Sequence, residues 1–328
     1  MKPLILTGHM MREFMEDGLA DIAIDPAFFR FVWGPQPSPD QIESYLGPRG
    51  PGQPRGTHWS DWAGDWNQSE NGTYRDFNLA GFCQQYETVE LWFDMRPDAQ
   101  LKLVWLLDYF SSYPEAVARL KLRLVEEEMV GLNPNAWSRG RPFLVDVRPG
   151  DIATAKAAWQ AYRSPTPEAC LELLGQDLGG LLLLRPVIHD LLQELPSAST
   201  GLGASEMRML EMIGCGYANV NPLFHFKDVR QTRVFSEWEL GYLLEGLAFG
   251  PRPAIAGLDE ELRSIDRGDL EARHQPMLRS RLTLTEFGKA VVAHREDFSR
   301  HNPIDRWWGG THLTNDNLWR WKPGLIAP

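Results

Sequence analysis

Residues 89–110, VELWFDMRPDAQLKLVWLLDYF, constrain the fold of this chain more than any other stretch. Val89 to Phe93 is a strongly apolar run of strand length. From Asp98 to Phe110 the apolar residues take helical spacing, with Leu103, Leu106, Leu107 and Phe110 at i, i+3, i+4 and i+7. Leu101, Val104 and Trp105 carry the apolar surface round to the other sides. A helix that is apolar on most sides must be covered on most sides, which sets it against a sheet. Leu4 to Leu6, ending at Gly8 before a predicted helix over Met11 to Leu19, repeats the strand-then-helix form, and a second strand is predicted over Asp21 to Ile24.

These features divide the chain into three predicted parts. Residues 1–125 read as an α/β, Rossmann-like domain. It contains a Gly/Pro-rich loop, GPRGPGQPRG, at Gly47 to Gly56. Its further strand candidate is Leu120 to Val125, where Leu120, Leu122 and Leu124 face one way and Lys121 and Arg123 the other. Residues 126–200 read as a helical connector. There Asp151 is the expected cap of a helix whose Ile152, Ala155, Trp159 and Tyr162 share a face, and a second helical run covers Gly180 to Leu195. Residues 201–328 read as a winged-helix-like α+β domain with a terminal hairpin. Its predicted helices are Ser205 to Gly214, Asn219 to Phe226, Ser236 to Phe249 and Glu286 to His294.

Five segments in order resemble a bacterial family known as domain-of-unknown-function family 1835. They are LILTGHM, TVELWFDMRPDAQLKLVWLLDYF, KAAWQAYRSPTP, ELPSASTGLGASEMRMLEMIGCG and LTLTEFGKAVVAHREDFSRHNPIDRWWGGTHL. The resemblance spans the chain and implies relatives without implying a reaction. It also marks departures. After the first strand, where relatives carry Asn-Gly-Asp-Ser, this chain has Thr7, Gly8, His9 and Met10, keeping only the glycine. After Trp92 and Phe93 it keeps the acid at Asp94 and the amide at Gln100, while Met95 to Ala99 lack the His and Asp positions of relatives. If those groups form the family's active site, the resemblance implies an altered one here.

Charge excludes some partners. The net charge is −11, and residues 1–204 carry −10 of it, so attraction to nucleic acid or an anionic membrane would need a local basic patch. No stretch approaches the roughly 18 apolar residues of a membrane span, and the apolar run in MKPLILTGHMM is too short for a signal peptide. A cytoplasmic protein with no membrane contact is expected, in which the sequons at Asn67 and Asn71 are idle. Three well-separated cysteines, Cys83, Cys170 and Cys215, sit in apolar contexts that favour buried thiols over disulfides or nucleophiles.

The leading candidate site is a crevice at the carboxyl ends of the N-terminal strands, where open α/β sheets place ligands. Thr7, Gly8 and His9 end the first strand, and Asp94, Arg96, Asp98 and Gln100 follow the strand at Val89 to Phe93. Both junctions lead into helices, whose N-terminal N–H groups favour an anion. Arg75 and Asp76 are expected to add a charged pair. The same residues also fit helix caps and a tight turn, since the multi-glycine phosphate fingerprint is absent. No cofactor is indicated. The expected partner is a small anionic or nucleotide-like ligand, with an enzyme and a plain binding protein both open.

Other candidates are weaker. THWSDWAGDW sets Trp59, Trp62 and Trp66 at helical spacing with Asp61 and Asp65, which suits stacking against a sugar or base and equally suits packing into the body. His294, His301 and His312 with Asp305 lack the spacing of a metal set. The alternative function is a regulatory protein whose winged-helix-like domain contacts a protein. Specific DNA binding is disfavoured, because the third helix carries Glu237, Glu239 and Glu245 and only Lys227, Arg230 and Arg233 precede it. In the terminal block, adjacent Trp307 and Trp308 are expected to point opposite ways beside a Gly309-Gly310 turn, as a structural clasp.

Overall fold

The computed structural model describes residues 2–8, 19–20, 22–26, 34–63, 76–125, 143–226 and 232–328. The fold is mixed α/β. Strands β1 (Leu4–Thr7) and β2 (Ile22–Ile24) are followed by helices α1 (Pro39–Leu46) and α2 (Leu79–Cys83). Then come β3 (Val89–Asp94), α3 (Pro97–Phe110), α4 (Pro114–Val117), β4 (Leu120–Val125) and β5 (Val145–Asp146). The five strands form one sheet in the order β2-β1-β3-β4-β5, parallel except for β5, which pairs antiparallel with β4. The helix expected over Met11 to Leu19 lies, but for Leu19, outside the described residues, as do Asn67 and Asn71.

Strands β1 and β3 are buried on both faces of the sheet, which is why they read as apolar runs, whereas β5 is exposed. Leu4, Leu6, Leu91 and Phe93 face α3 and join the main core, whereas Ile5, Ala23, Trp92 and Val125 form a second cluster on the other face. Arg123 corrects the expectation of a basic outer row on β4. Its side chain is buried, pairs with Glu90 at 3.2 Å and lies over the Trp92 ring at 4.9 Å, while Trp92 Nε1 donates to Glu90 at 2.7 Å.

Helices α5 (Pro149–Tyr162), α6 (Glu168–Leu173) and α7 (Leu184–Gln193) form the layer beyond α3. Ala155, Trp159 and Tyr162 are fully covered, as the shared face predicts. Asp151 is not the cap residue of α5 but its third helical residue, reaching back to accept from the Arg148 N–H at 2.9 Å. The run Gly180 to Leu195 is helical only over α7, with a turn before it. One hydrophobic cluster continues from β1 through α3, α5 and α7 to Trp308 and Trp319, so residues 149–193 lie inside the packing rather than between two cores.

The remaining elements are α8 (Ala204–Gly214), α9 (Val220–His225), α10 (Glu237–Phe249), β6 (Ile255–Ala256), α11 (Leu270–Arg279), β7 (Thr283–Leu284) and α12 (Glu286–Val292). β6 and β7 pair over two residues each and enclose α11, a helix the sequence reading did not foresee. Two hairpins follow where one was expected: β8 (Asp305–Trp308) with β9 (Thr311–Thr314), and β10 (Arg320–Lys322) with β11 (Gly324–Ile326). Ser205 does not cap α8. Gly203 is the cap residue, and the free N–H and hydroxyl of Ser205 donate to the buried Glu194 carboxylate at the end of α7, the hydroxyl at 2.6 Å. Beside it, Glu206 accepts from the Gly203 N–H and pairs with Arg306 of β8 at 2.9 Å.

The β8–β9 hairpin docks on the end of α5. Gly310 N–H donates to the Tyr162 carbonyl at 2.9 Å, and Trp308 lies edge-on to the Tyr162 ring with its Nε1 donating to the Leu191 carbonyl at 2.6 Å. Trp307 points the other way, stacked on His312 with ring centroids 4.5 Å apart and packed against Gly34. The next hairpin binds the chain again: Trp321 N–H donates to the Pro196 carbonyl and Ala198 N–H to the Trp321 carbonyl, both at 2.9 Å. Among the described residues no helix is long and apolar enough to cross a membrane.

Candidate functional site

Strand order fixes where a ligand crevice can open. The chain leaves β1 toward β2 on one side and returns to β3 on the other, so the β1–β3 boundary is the point where the order reverses. Thr7 pairs with Trp92 in register, which brings Gly8 beside Phe93 at the carboxyl edge. A Cβ at Gly8 would sit 3.4 Å from the Phe93 ring and 3.7 Å from the Lys102 side chain.

The β3–α3 junction builds the polar part of this edge. Asp94 ends the strand, Arg96 is the helix cap residue and Pro97 opens α3 with a φ suited to a first turn. The Asp94 carboxylate accepts from the Arg96 backbone N–H at 2.9 Å and from its guanidinium at 3.0 and 2.6 Å. Gln100 Nε2 donates to the Asp94 carbonyl at 2.6 Å. Asp98 stands 3.9 Å from Arg96 Nε. All four side chains are at least nine-tenths buried as residues, so the guanidinium is clamped in one orientation by a two-point contact.

The charges around Asp98 come from three parts of the chain. Burial pushes its carboxyl above the usual range, the Arg96, Lys102 and Arg233 cations pull against that, and Asp94 adds to the rise. Arg233 belongs to the segment entering α10, so this segment reaches the edge of the N-terminal sheet. Arg233 is itself paired with Glu237, so the edge holds three carboxylates against three cations.

Six of the nine expected residues therefore share one edge: Thr7, Gly8, Asp94, Arg96, Asp98 and Gln100. His9 and Arg75 lie outside the described residues. Asp76 is not brought to the edge. It is exposed, and α2 just after it is tied by the Ala80 N–H to the Tyr109 hydroxyl at the far end of α3. At 1.5 Å per helical residue, that is roughly 16 Å from Asp98.

Two residues at this edge were not foreseen. Lys102 lies four residues after Asp98, a spacing that puts both on one helix face and could have been read. Arg233 arrives through tertiary packing and left no local signal. No protein-family model, no curated protein and no solved structure matches the chain.

The weaker candidates resolve into packing. Trp59 to Trp62 is a single 3-10 turn, after which Ala63 bridges to Ile24, so the expected longer helix does not continue; Asp65 and Trp66 lie outside the described residues. Trp59 is fully buried against Phe82. Burial opposes ionisation of Asp61, but its bonds to Arg49 and to the Gly56 and His58 N–H groups hold its carboxyl below the ordinary value. His301 and His312 meet Glu296 and Asp305, and His294 meets the Ser199 hydroxyl. Cys83 and Cys170 are buried, with burial raising both thiols, whereas Cys215 is exposed, contrary to expectation, because α8 ends there in a turn.

Glu239 and Glu245 turn out not to be surface acids. Glu239 accepts from the Ser236 N–H and hydroxyl as part of a capping box, and Glu245 pairs with buried Arg273. Arg233 is likewise buried and pairs with Glu237 at 3.3 Å. Lys227 and Arg230 lie outside the described residues.

Proposed function

We propose that this protein binds a small anionic, nucleotide-like ligand at the β1–β3 edge, as a member of family 1835 with an altered polar set. The observation that carries the reading is the buried Arg96, gripped by Asp94 where α3 begins, directly across the strand-order reversal from Gly8. A helix N-terminus offers N–H donors and a positive dipole end to an anion, and the Asp94–Arg96 ion pair holds that junction in one geometry. The parallel strand order 2-1-3-4, with its reversal between β1 and β3, supports the Rossmann-like assignment of this part. Whether chemistry follows binding is a separate question, which turnover of the bound ligand answers.

The test is a thermal-shift screen with nucleotides and sugar phosphates. A true ligand at a hundredfold excess over its dissociation constant should stabilise the fold by about 2.7 kcal/mol. Gly8→Ala, whose methyl meets only ordinary contacts, should retain the shift, and Gly8→Trp should abolish it by filling the edge. A screen with no stabilising compound, or a shift that survives Gly8→Trp in a folded variant, refutes the reading.

We further read residues 201–328 as a winged-helix-like unit used for packing rather than for DNA. A groove-reading helix must present a free polar face, yet α10 buries Glu239 through Glu245 and Leu247. The full chain should therefore show no submicromolar binding to random duplex DNA at near-physiological salt, measured by anisotropy. Binding that is lost on replacing Lys227, Arg230 and Arg233 by alanine would instead favour a nucleic-acid regulator.

A further inference from the structure

Helix α10 contains two interior glycines, and they differ in a telling way. A Cβ at Gly241 would meet the Met277 methyl at 3.1 Å, so close packing accounts for that one. A Cβ at Gly246 would meet nothing within 4 Å. Glycine inside a helix costs stability relative to alanine, and here no neighbour requires it. What lies over Gly246 is a cleft of about 500 Å³. It is bounded by α10, by the segment from Leu262 to Arg267, and by Phe298 to Arg306.

The cleft mixes polar and apolar surface, and several of its polar groups are fixed in place. Leu243, Phe249 and Ile304 supply part of the apolar surface, and two ion pairs supply charge. Glu206 is neutralised by Arg306 at 2.9 Å, and Glu245 by Arg273. Both carboxylates are buried, each 6% exposed, so the pairs are set before any ligand arrives. Asp305 turns to His312.

Arg267 is then a second cation on an already neutralised carboxylate, 3.5 Å from Glu245 and with a side chain 64% exposed. It sits 5.2 Å over the Tyr242 ring, and Arg263 sits 4.0 Å over Phe249. Arg263 is itself paired with Glu260, so Arg267 is the cation above these aromatic and aliphatic walls, an arrangement that suits an organic anion with an apolar body.

We propose that this cleft is a second ligand site, separate from the β1–β3 edge, that takes a small aromatic or branched anion such as a carboxylate or phosphate monoester. Gly246 lies on its floor, where a small residue leaves the space clear and a large one would fill it. Arg267 holds the anionic group, and the walls beside Gly246 and Phe249 hold the apolar body.

The test uses phenyl phosphate on the full chain, with binding read by calorimetry, and inorganic phosphate and phenol as partial ligands. Phenyl phosphate should bind saturably with one site in this cleft, and each partial ligand about tenfold or more weaker, because each lacks one half of the recognition. Gly246→Ala should bind within about twofold of the unaltered chain and melt at a higher temperature, since the methyl enters open space and raises helix propensity. Gly246→Trp should weaken binding at least about tenfold, with Gly246→Leu as the alternative if the tryptophan variant does not fold, and Arg267→Gln should weaken it about fivefold or more. Gly8→Trp should leave it unchanged. No saturable binding, equal binding of inorganic phosphate, full binding by Gly246→Trp, or loss in Gly8→Trp would each overturn the proposal. The last outcome would move the anion to the β1–β3 edge.

Discussion

Replacing Glu194 by glutamine is expected to stabilise this protein at pH 8 and to flatten its stability profile between pH 5 and pH 7. Burial pushes the Glu194 carboxyl up to about 7, with Glu206 adding to the rise and the Ser205 hydroxyl and N–H and the Arg306 charge opposing it. In the unfolded chain the same group ionises near 4.3. The folded state therefore holds a proton that the unfolded state has lost over the interval between these values. The associated stability is fully present below about pH 4.3 and is lost as pH rises through about 7, a loss of about 4 kcal/mol from this one group. Glutamine keeps an oxygen for the Ser205 donors and cannot ionise, so most of that loss should disappear. Urea unfolding at half-unit pH steps measures it, and parallel profiles for the two proteins would sink the assignment.

Gly310→Ala should cost about 3–5 kcal/mol, a large effect for one added methyl group. The new Cβ would stand 2.0 Å from the Arg163 carbonyl oxygen, 2.4 Å from its carbon and 2.8 Å from the Ser164 oxygen. These are backbone atoms at the end of α5 and cannot swing aside, so the β8–β9 hairpin must lift. Lifting breaks the Gly310 to Tyr162 hydrogen bond and uncovers Trp308, which is 3% exposed. Loss of a buried Trp contact falls in the range of large core truncations. Gly150→Ala is the control, since its Cβ would meet nothing within 4 Å. Chemical denaturation with tryptophan emission as the probe should show a lowered midpoint and a red-shifted native spectrum for Gly310→Ala alone. A cost below about 1 kcal/mol would mean that the hairpin is not seated on α5 as described.

The strand and helix at residues 89–110 were legible because burial on both sheet faces leaves an apolar run, and burial of α3 between the sheet and α5 leaves a helix apolar nearly all round. Gly8 and Asp94 could be put on one edge because each follows a parallel strand. Alternation along β4 separated Arg123 from the leucines, but alternation says only which face a residue takes, and what covers that face comes from elsewhere in the chain. The cap of α8 was misread for a related reason: Ser205 has the right chemistry, yet its partner Glu194 sits across a turn from the end of α7. Helix α11 escaped because Pro276 interrupts its pattern, although Asp269 caps it by accepting from the Ala272 N–H. Glu239 and Glu245 look like surface acids until Ser236 and Arg273 are brought to them. For Arg123, Ser205 and Glu245 the missing information was a partner distant in sequence, which composition and spacing do not encode, whereas the Ser236–Glu239 capping box and the Asp269 cap are local and could have been read.

The docking of β8–β9 on α5 sets an order of events during translation. Tyr162 and Leu191 cannot meet their partners on Gly310 and Trp308 until a segment roughly 150 residues downstream has left the ribosome, about 7–30 s after Tyr162 is made. Until then Trp159, Tyr162 and the end of α7 have an uncovered side, and the nascent chain presents aromatic surface that a holding chaperone could occupy. A ribosome stalled before Asn302 should therefore carry a protease-sensitive chain, and one stalled well beyond Trp321 a resistant one.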